Sequence, residues 1–156
     1  MTTIHTSDVY DQRGDECLAV TESFANLGGR RQFSGPVRTV RCFEDNGLLK
    51  GIMEEPGEGA VLVVDAGGTL RCAMLGGNMA LRFSQNGWAG VIVYGAVRDR
   101  HELVGIDLGV QALGSNPRRS GKAGSGERDV VLTFADTTFR PGAMVYADDD
   151  GILVER

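Results

Sequence analysis

Two neighbouring residues, Arg98 and Asp99, place a forked cation beside a carboxylate at the end of the apolar run Ala89 to Val97. A guanidinium grips a carboxylate through two parallel N–H···O bonds. An aspartate oxygen suits a hard divalent cation, Mg2+ or Mn2+, that keeps several of its waters. Glu102 follows three residues later, which on a helix shares a face with Asp99, so Asp99 and Glu102 are the candidate metal ligands. Gly76-Gly77-Asn78-Met79 begins a second helical pattern. Glycines there leave backbone N–H groups unobstructed at the positive end of a helix dipole, which suits a carboxylate or phosphate. The combined expectation is a small anionic ligand held by Arg98 and the amides of Gly76, Gly77, Asn78 and Met79, with Arg98 and Asp99 as the catalytic pair. Plainer readings compete with it. Gly-Gly before a helix is also ordinary turn chemistry, and Arg-Asp-x-x-Glu is also the start of an exposed helix with a dipole-favoured carboxylate.

These residues need strands to carry them to one place. Phe33 to Phe43 alternates and is rich in β-branched residues, so it reads as a strand beginning near Pro36. Leu48, Leu49, Ile52 and Met53 follow Asp45 and Asn46, either of which can cap a helix that ends at Pro56-Gly57. Gly59 to Asp65 and Ala89 to Val97 are continuous apolar runs, the pattern of strands buried on both faces. Leu70 to Leu75 is a shorter strand candidate, and Met79, Ala80 and Phe83 share the face of a helix that stops at Gly87. From Val110 onward the chain reads as strands, with a Pro141-Gly142 turn and a hairpin around Asp148-Asp149-Asp150-Gly151. The fold class is therefore α/β with flanking β hairpins in a single domain over residues 1–156. If the strands run parallel, the loops after Val64, Leu75 and Val97 share one rim, where open α/β sheets bind ligands.

Composition removes several alternatives. Sixteen Lys and Arg against 21 Asp and Glu give a net charge of −5, which argues against direct binding of nucleic acid. No apolar run reaches the roughly 18 residues of a membrane span. The three cysteines are widely spaced, the N-terminus lacks a signal pattern, and a cytoplasmic protein with reduced thiols is expected. Zinc-type Cys and His spacing and a Gly-x-Ser-x-Gly elbow are both missing. The segment Gly114 to Lys122 fails as a phosphate loop and reads as a flexible loop. The only lysines, Lys50 and Lys122, fall on the first helix and in that loop, so neither is expected at the rim and a metal is the more economical electrophile. Twenty-three glycines, sitting mostly at the ends of apolar runs, mark tight turns or close backbone approaches.

The strings Asn26-Leu-Gly-Gly-Arg-Arg-Gln-Phe-Ser-Gly35, Cys42-Phe-Glu-Asp-Asn46, Val61-Leu-Val-Val-Asp65, Asn86-Gly-Trp-Ala-Gly90, Tyr94-Gly-Ala-Val-Arg-Asp99, Asp107-Leu-Gly-Val110 and Gly126-Glu-Arg-Asp129 together resemble the family named for the regulator of ribonuclease activity A (RraA), from about Ser7 to Val154. The resemblance implies a swivelling β/β/α domain with a mixed sheet, assembled as a homotrimeric ring. It further implies a divalent-metal-dependent aldolase for 4-hydroxy-4-methyl-2-oxoglutarate that also decarboxylates oxaloacetate, both reactions yielding pyruvate. The alternative it carries is a non-catalytic regulator that binds ribonuclease E or an associated RNA helicase. The family signature is an Asp, twenty residues, then Arg-Asp. Arg98 and Asp99 match, while Gly77 stands at the Asp position and Glu102 fits the variant with Gly, twenty residues, Arg-Asp, two residues and Glu, in which that Glu is the acidic partner. Loss of that Asp implies weak turnover, with slow decarboxylation favoured over efficient aldol cleavage.

Overall fold

Apolar continuity separates fully buried strands from half-buried ones here, and the computed structural model, which describes residues 4–156, follows that division. In chain order the elements are helix α1 (Thr6–Arg13), a 3-10 turn (Gly14–Glu16), strands β1 (Cys17–Ala19), β2 (Ala25–Asn26) and β3 (Phe33–Arg41), and helix α2 (Gly47–Ile52). They continue with β4 (Val61–Asp65), β5 (Ala73–Leu75), α3 (Gly77–Gln85), β6 (Gly90–Val97), α4 (Arg100–Leu103) and β7 (Gly109–Ser115). The last are β8 (Glu127–Arg128), β9 (Leu132–Phe134), β10 (Thr137–Phe139), β11 (Met144–Asp148) and β12 (Gly151–Glu155). One mixed sheet runs β1-β12-β11-β3-β4-β6-β7-β2, with β5 added to β6 and β8 to β3, while β9 and β10 form a separate hairpin.

The two continuous apolar runs become β4 and β6, central and buried on both faces apart from Asp65 and Tyr94. Strands β3, β4, β6 and β7 run parallel, as does β5 against β6, so their carboxyl ends share a rim as expected. One face of the sheet packs on α2, α3 and α4 through a core that includes Leu49, Met79, Phe83 and Leu103, with Phe83 edge-on to Trp88. The other packs Phe33, Ile92, Phe134 and Phe139 against the β9–β10 and β11–β12 hairpins, the latter turning at Asp148–Gly151 as expected. Gly90 and Gly109 are cross-strand partners, and a Cβ on either would overlap the Phe33 ring. A missing side chain on two neighbouring strands thus makes the seat for one aromatic ring.

Two local readings change. The strand over Leu70 to Leu75 shortens to β5, because residues 66–72 form an open turn with Gly67 and Gly68 at positive φ. Helix α1, which sequence reading passed over, has almost no apolar stripe, burying only Thr6 and Val9, and is fixed instead when Thr6 donates from its N–H and hydroxyl to the buried Asp148 carboxylate, at 2.8 and 2.7 Å. Among the described residues no helix is long and apolar enough to cross a membrane.

Candidate active site at the carboxyl ends of β5 and β6

Strand β6 ends at Val97, and the Arg98 N–H donates to Leu75 O at 2.9 Å, which locks the β6 exit beside the end of β5. Asp99 then adopts a left-handed backbone, φ 65° and ψ 43°, as the N-cap residue of α4. Such a conformation costs a non-glycine residue on the order of 1 kcal/mol, and Asp accepts it better than most. The Asp99 side chain does not cap its own helix. It reaches back across the rim, where Oδ2 accepts the Gly77 N–H at 2.9 Å.

The Gly-Gly pair is a matter of space, not of turn geometry. Gly76 is extended, at φ −126° and ψ −175°, and Gly77 is not at positive φ. A Cβ on Gly76 would stand 2.9 Å from Asp99 Oδ2 and 3.4 Å from Arg98 Nε, and a Cβ on Gly77 would land on Glu102 Oε2. Both residues are bare because Arg98, Asp99 and Glu102 lie over them. Asp99 and Glu102 thereby converge on Gly77, one at its N–H and the other at its Cα. The carboxyl of Glu102 fills the room that a side chain at position 77 would take.

Of the four amides expected to bind a ligand, the one on Gly77 is spent on Asp99. The first bond within α3 runs from the Ala80 N–H to Gly76 O, so the N–H groups of Asn78 and Met79 lie in the unpaired first turn. Gly76, Gly77, Asn78, Met79, Arg98 and Asp99 all line a cavity of about 270 Å3, small by the standard of ligand pockets. Glu102 stands outside that lining, half exposed over Gly77, so the predicted metal pair is divided between the cavity and its edge. The third loop expected at the rim, Asp65 to Gly68, is absent from the cavity; its glycines pack under Phe43 and Tyr94.

The opposite wall overturns two expectations. Lys50 and Lys122, placed away from the rim by sequence reading, both line this cavity, together with Arg119, Ser120 and Asn46. The segment read as a flexible loop is strapped in place. Ala73 N–H donates to Arg118 O at 2.7 Å, the Ser120 hydroxyl to Ala73 O at 2.6 Å, and Asn46 N–H to Gly121 O at 2.9 Å. The buried Asp45 finishes the work, accepting the N–H groups of Gly47, Ala123 and Gly124 at 2.9, 2.8 and 3.0 Å. These bonds, that to Gly47 first, hold its carboxyl below the ordinary aspartate range. Asp45 thereby ties the start of α2 to a segment nearly eighty residues later. The signal that could have found this was an Asp directly before Asn46-Gly47, a residue type that bonds nearby amides as readily as it caps a helix.

Lys50 faces Lys122 and Arg98, and its ammonium is held below the ordinary lysine range by lost hydration first and by those two cations next. Arg98 has weak company, with Nε 4.0 Å from Asp99 Oδ2 and an N–H donated to Pro117 O at 3.2 Å. Four cations therefore meet one carboxylate around this cavity. Among the described residues no three His, Cys, Asp or Glu side chains converge to hold a metal. A Mg2+ ion needs only one or two protein carboxylates when substrate and water supply the remaining oxygens. Asp99, with Glu102 at its edge, fits a cation that is held jointly with its ligand.

A relative from Alkalilimnicola ehrlichii, provisionally named 4-hydroxy-4-methyl-2-oxoglutarate aldolase, is 53% identical over 98% of this chain and 95% of its own. The RNA-processing inhibitor RraA from Thermus thermophilis superposes with a TM-score of 0.95 at 46% identity, covering 99% of this chain and 93% of that one. A Geobacillus kaustophilus structure described as an S-adenosylmethionine:2-dimethylmenaquinone methyltransferase superposes equally, with TM-score 0.95, 45% identity and coverage of 97% and 94%. The model of the RraA-like family, described as Aldolase/RraA, matches residues 6–154, and the chain belongs to that family.

Proposed function

We propose that the protein is a carbon–carbon lyase that releases pyruvate from small 2-oxo acids, of the 4-hydroxy-4-methyl-2-oxoglutarate aldolase and oxaloacetate decarboxylase type. The observation that carries this reading is the overlay of Arg98 and Asp99 on the bare backbone of Gly76 and Gly77, beside the unpaired first-turn amides of α3. The C1 carboxylate lies against the Asn78 and Met79 N–H groups, and the Arg98 guanidinium holds the C2 oxygen. Cleavage of the C3–C4 bond leaves its electron pair as the C2–C3 enolate of pyruvate, whose oxygen Arg98 stabilises, while C4 departs as CO2 from oxaloacetate or, with its hydroxyl proton lost to solvent, as a ketone from the aldol substrate; water then protonates C3. Asp99, with Glu102 as the nearby acid, would hold a Mg2+ or Mn2+ ion, which would supply Lewis-acid polarisation of the 2-oxo carbonyl. Glu102 stands in for the carboxylate that Gly77 lacks, which keeps turnover modest.

The same geometry weighs against methyl transfer, because a cavity walled by four cations repels a sulfonium cofactor. A second reading rests on the Thermus relative, whose name describes inhibition of RNA processing: a non-catalytic regulator that binds ribonuclease E or an associated RNA helicase through a protein surface. Under either reading we propose one unit over the whole chain, a homotrimer, and a cytoplasmic setting consistent with three free, buried cysteines. The test is pyruvate release from oxaloacetate with Mg2+ or Mn2+, before and after chelation. Arg98→Ala is expected to lower the rate roughly 30- to 150-fold, the value of about 2–3 kcal/mol of transition-state binding. A variant as active as wild type removes Arg98 from the mechanism, and equal rates after exhaustive chelation remove the cation. Pyruvate release absent from a folded wild-type protein favours the regulator.

A further inference from the structure

Helix α1 spans the β11–β12 hairpin and is clasped at each end by a carboxylate from that hairpin. At its start, the Thr6 N–H and hydroxyl donate to Asp148, the last residue of β11. In its last turn, Arg13 donates to Glu155, the last residue of β12, at 2.8 Å. Each carboxylate has a second bond that does not involve the helix. Asp148 accepts the Asp150 N–H at 3.0 Å, and Glu155 accepts the Met144 N–H at 2.7 Å, the largest of the effects that hold the Glu155 carboxyl below the ordinary glutamate range. The hairpin therefore keeps both anchors in place whether or not α1 lies on them. Between the clasps the apolar seal is thin. Val9 is the one apolar residue that α1 buries, packed on Cys17 and Leu153, and beside it a groove of about 360 Å3 runs between Tyr10 and Ala19, Val20, Ile152 and Leu153.

We infer that α1 is a latch, which lifts from the hairpin as one unit while β1, β11 and β12 stay paired, and which uncovers Cys17, Leu153 and the half-buried Tyr146 each time it opens. Unity follows from length. Eight residues are too few to hold a helix in water without tertiary support, so a helix freed from its clasps is lost whole. The two clasps differ in what loosens them. The Arg13–Glu155 pair reaches solvent and weakens as salt is added, whereas the bonds on Asp148 are buried and screened little. The latch thus shuts an apolar face at the end of the sheet by polar bonds, and ionic strength sets how often it opens.

The test uses Cys17 as the reporter in the intact protein under native conditions. Timed maleimide labelling, with each cysteine resolved by peptide mass spectrometry, is expected to modify Cys17 at least about tenfold faster than the buried Cys72. Hydrogen exchange is expected to give the α1 amides the same opening frequency that Cys17 reports, well above that of the β12 amides. Thr6→Val keeps the backbone donor and removes the hydroxyl bond to a buried carboxylate, so it is expected to speed Cys17 labelling about tenfold. Arg13→Gln should speed it about threefold, and about 0.5 M NaCl should do the same to wild type while adding nothing to that variant. Neither variant should alter β12 exchange or Cys72 labelling. Cys17 labelled only as fast as Cys72, or in step with β12 exchange, overturns the latch. A Cys17 rate that neither variant moves also overturns it, because the thiol is then reached by another route, and so does a variant that speeds Cys72 equally, because the opening is then global.

Discussion

Replacing Gly77 by Asp would restore the family carboxylate, and the structure sets what that change costs. Backbone strain is not the obstacle, since Gly77 is not at positive φ. The obstacle is Glu102, whose Oε2 occupies the new Cβ position, with its Cδ and Cβ 2.9 and 3.1 Å away. Glu102 is half exposed and flexible, so it can swing outward for about 0.5–1.5 kcal/mol of rotamer cost. A third carboxylate beside Asp99 and Glu102 adds repulsion of roughly 1–2 kcal/mol at a partly solvated site. The metal-free Gly77→Asp protein is thus expected to unfold roughly 3–14 °C below wild type, taking about 2–4 °C per kcal/mol for a domain of this size. Divalent cation should reverse the deficit. An ion at about one hundred times its dissociation constant returns roughly 2.7 kcal/mol, and the oxaloacetate decarboxylase rate should rise above wild type. Thermal unfolding with and without Mg2+, run beside a coupled pyruvate assay, reads both effects. A folded Gly77→Asp protein with the same melting temperature in Mg2+ and chelator, and no gain in pyruvate release, would refute the metal rim and move the regulator reading to first place.

Other consequences can be checked directly. Asp45→Ala removes the acceptor of three backbone N–H groups and is expected to destabilise the protein by on the order of 3 kcal/mol while freeing the Lys122 segment, read by denaturant titration. Because the Asp45 carboxyl is held below its ordinary value, its contribution is complete above about pH 4 and disappears only as the pH falls through that lowered value, so the wild type and Asp45→Ala stability curves should converge in acid. The Cys42 thiol, pushed up to about 12 by burial and by Asp45 and Asp65, should resist alkylation at pH 8 until the protein unfolds, as a timed thiol-labelling experiment will show. Light scattering at micromolar concentration should give three times the chain mass of 16.7 kDa, and a monomer mass contradicts the ring.

Much of the scaffold was readable from single segments. Val61 to Asp65 and Gly90 to Val97 are uninterrupted apolar runs, and such runs have few folded outcomes other than central parallel strands. Arg98, Asp99 and Gly76 to Met79 were readable as one rim for the same reason, since parallel strands end together. The far wall was not, because Lys50 and Lys122 meet only through hydrogen bonds that Asp45 accepts, and Asn46 and Ser120 donate, across about thirty to eighty positions of sequence. Local periodicity carries no trace of such bonds. Gly114 to Lys122 read as a flexible loop, whereas it is held by the Ser120 hydroxyl on Ala73 O, by the Ala73 N–H on Arg118 O and, just beyond it at Ala123 and Gly124, by the distant Asp45 carboxylate. Helix α1 escaped notice because its anchor is a polar one, on Asp148, and not an apolar stripe.

The Asp45 clamp also gives the molecule a clock. The amides of Ala123 and Gly124 lie outside any strand or helix, so their protection from solvent exchange depends on one carboxylate and not on the sheet. Their exchange measures how often the cationic wall lifts away, while the amides of β4 and β6 measure opening of the whole fold. Two populations of amides thus report separate events. A wall that lifts many times for each global unfolding would let a ligand enter and leave while the central strands stay closed.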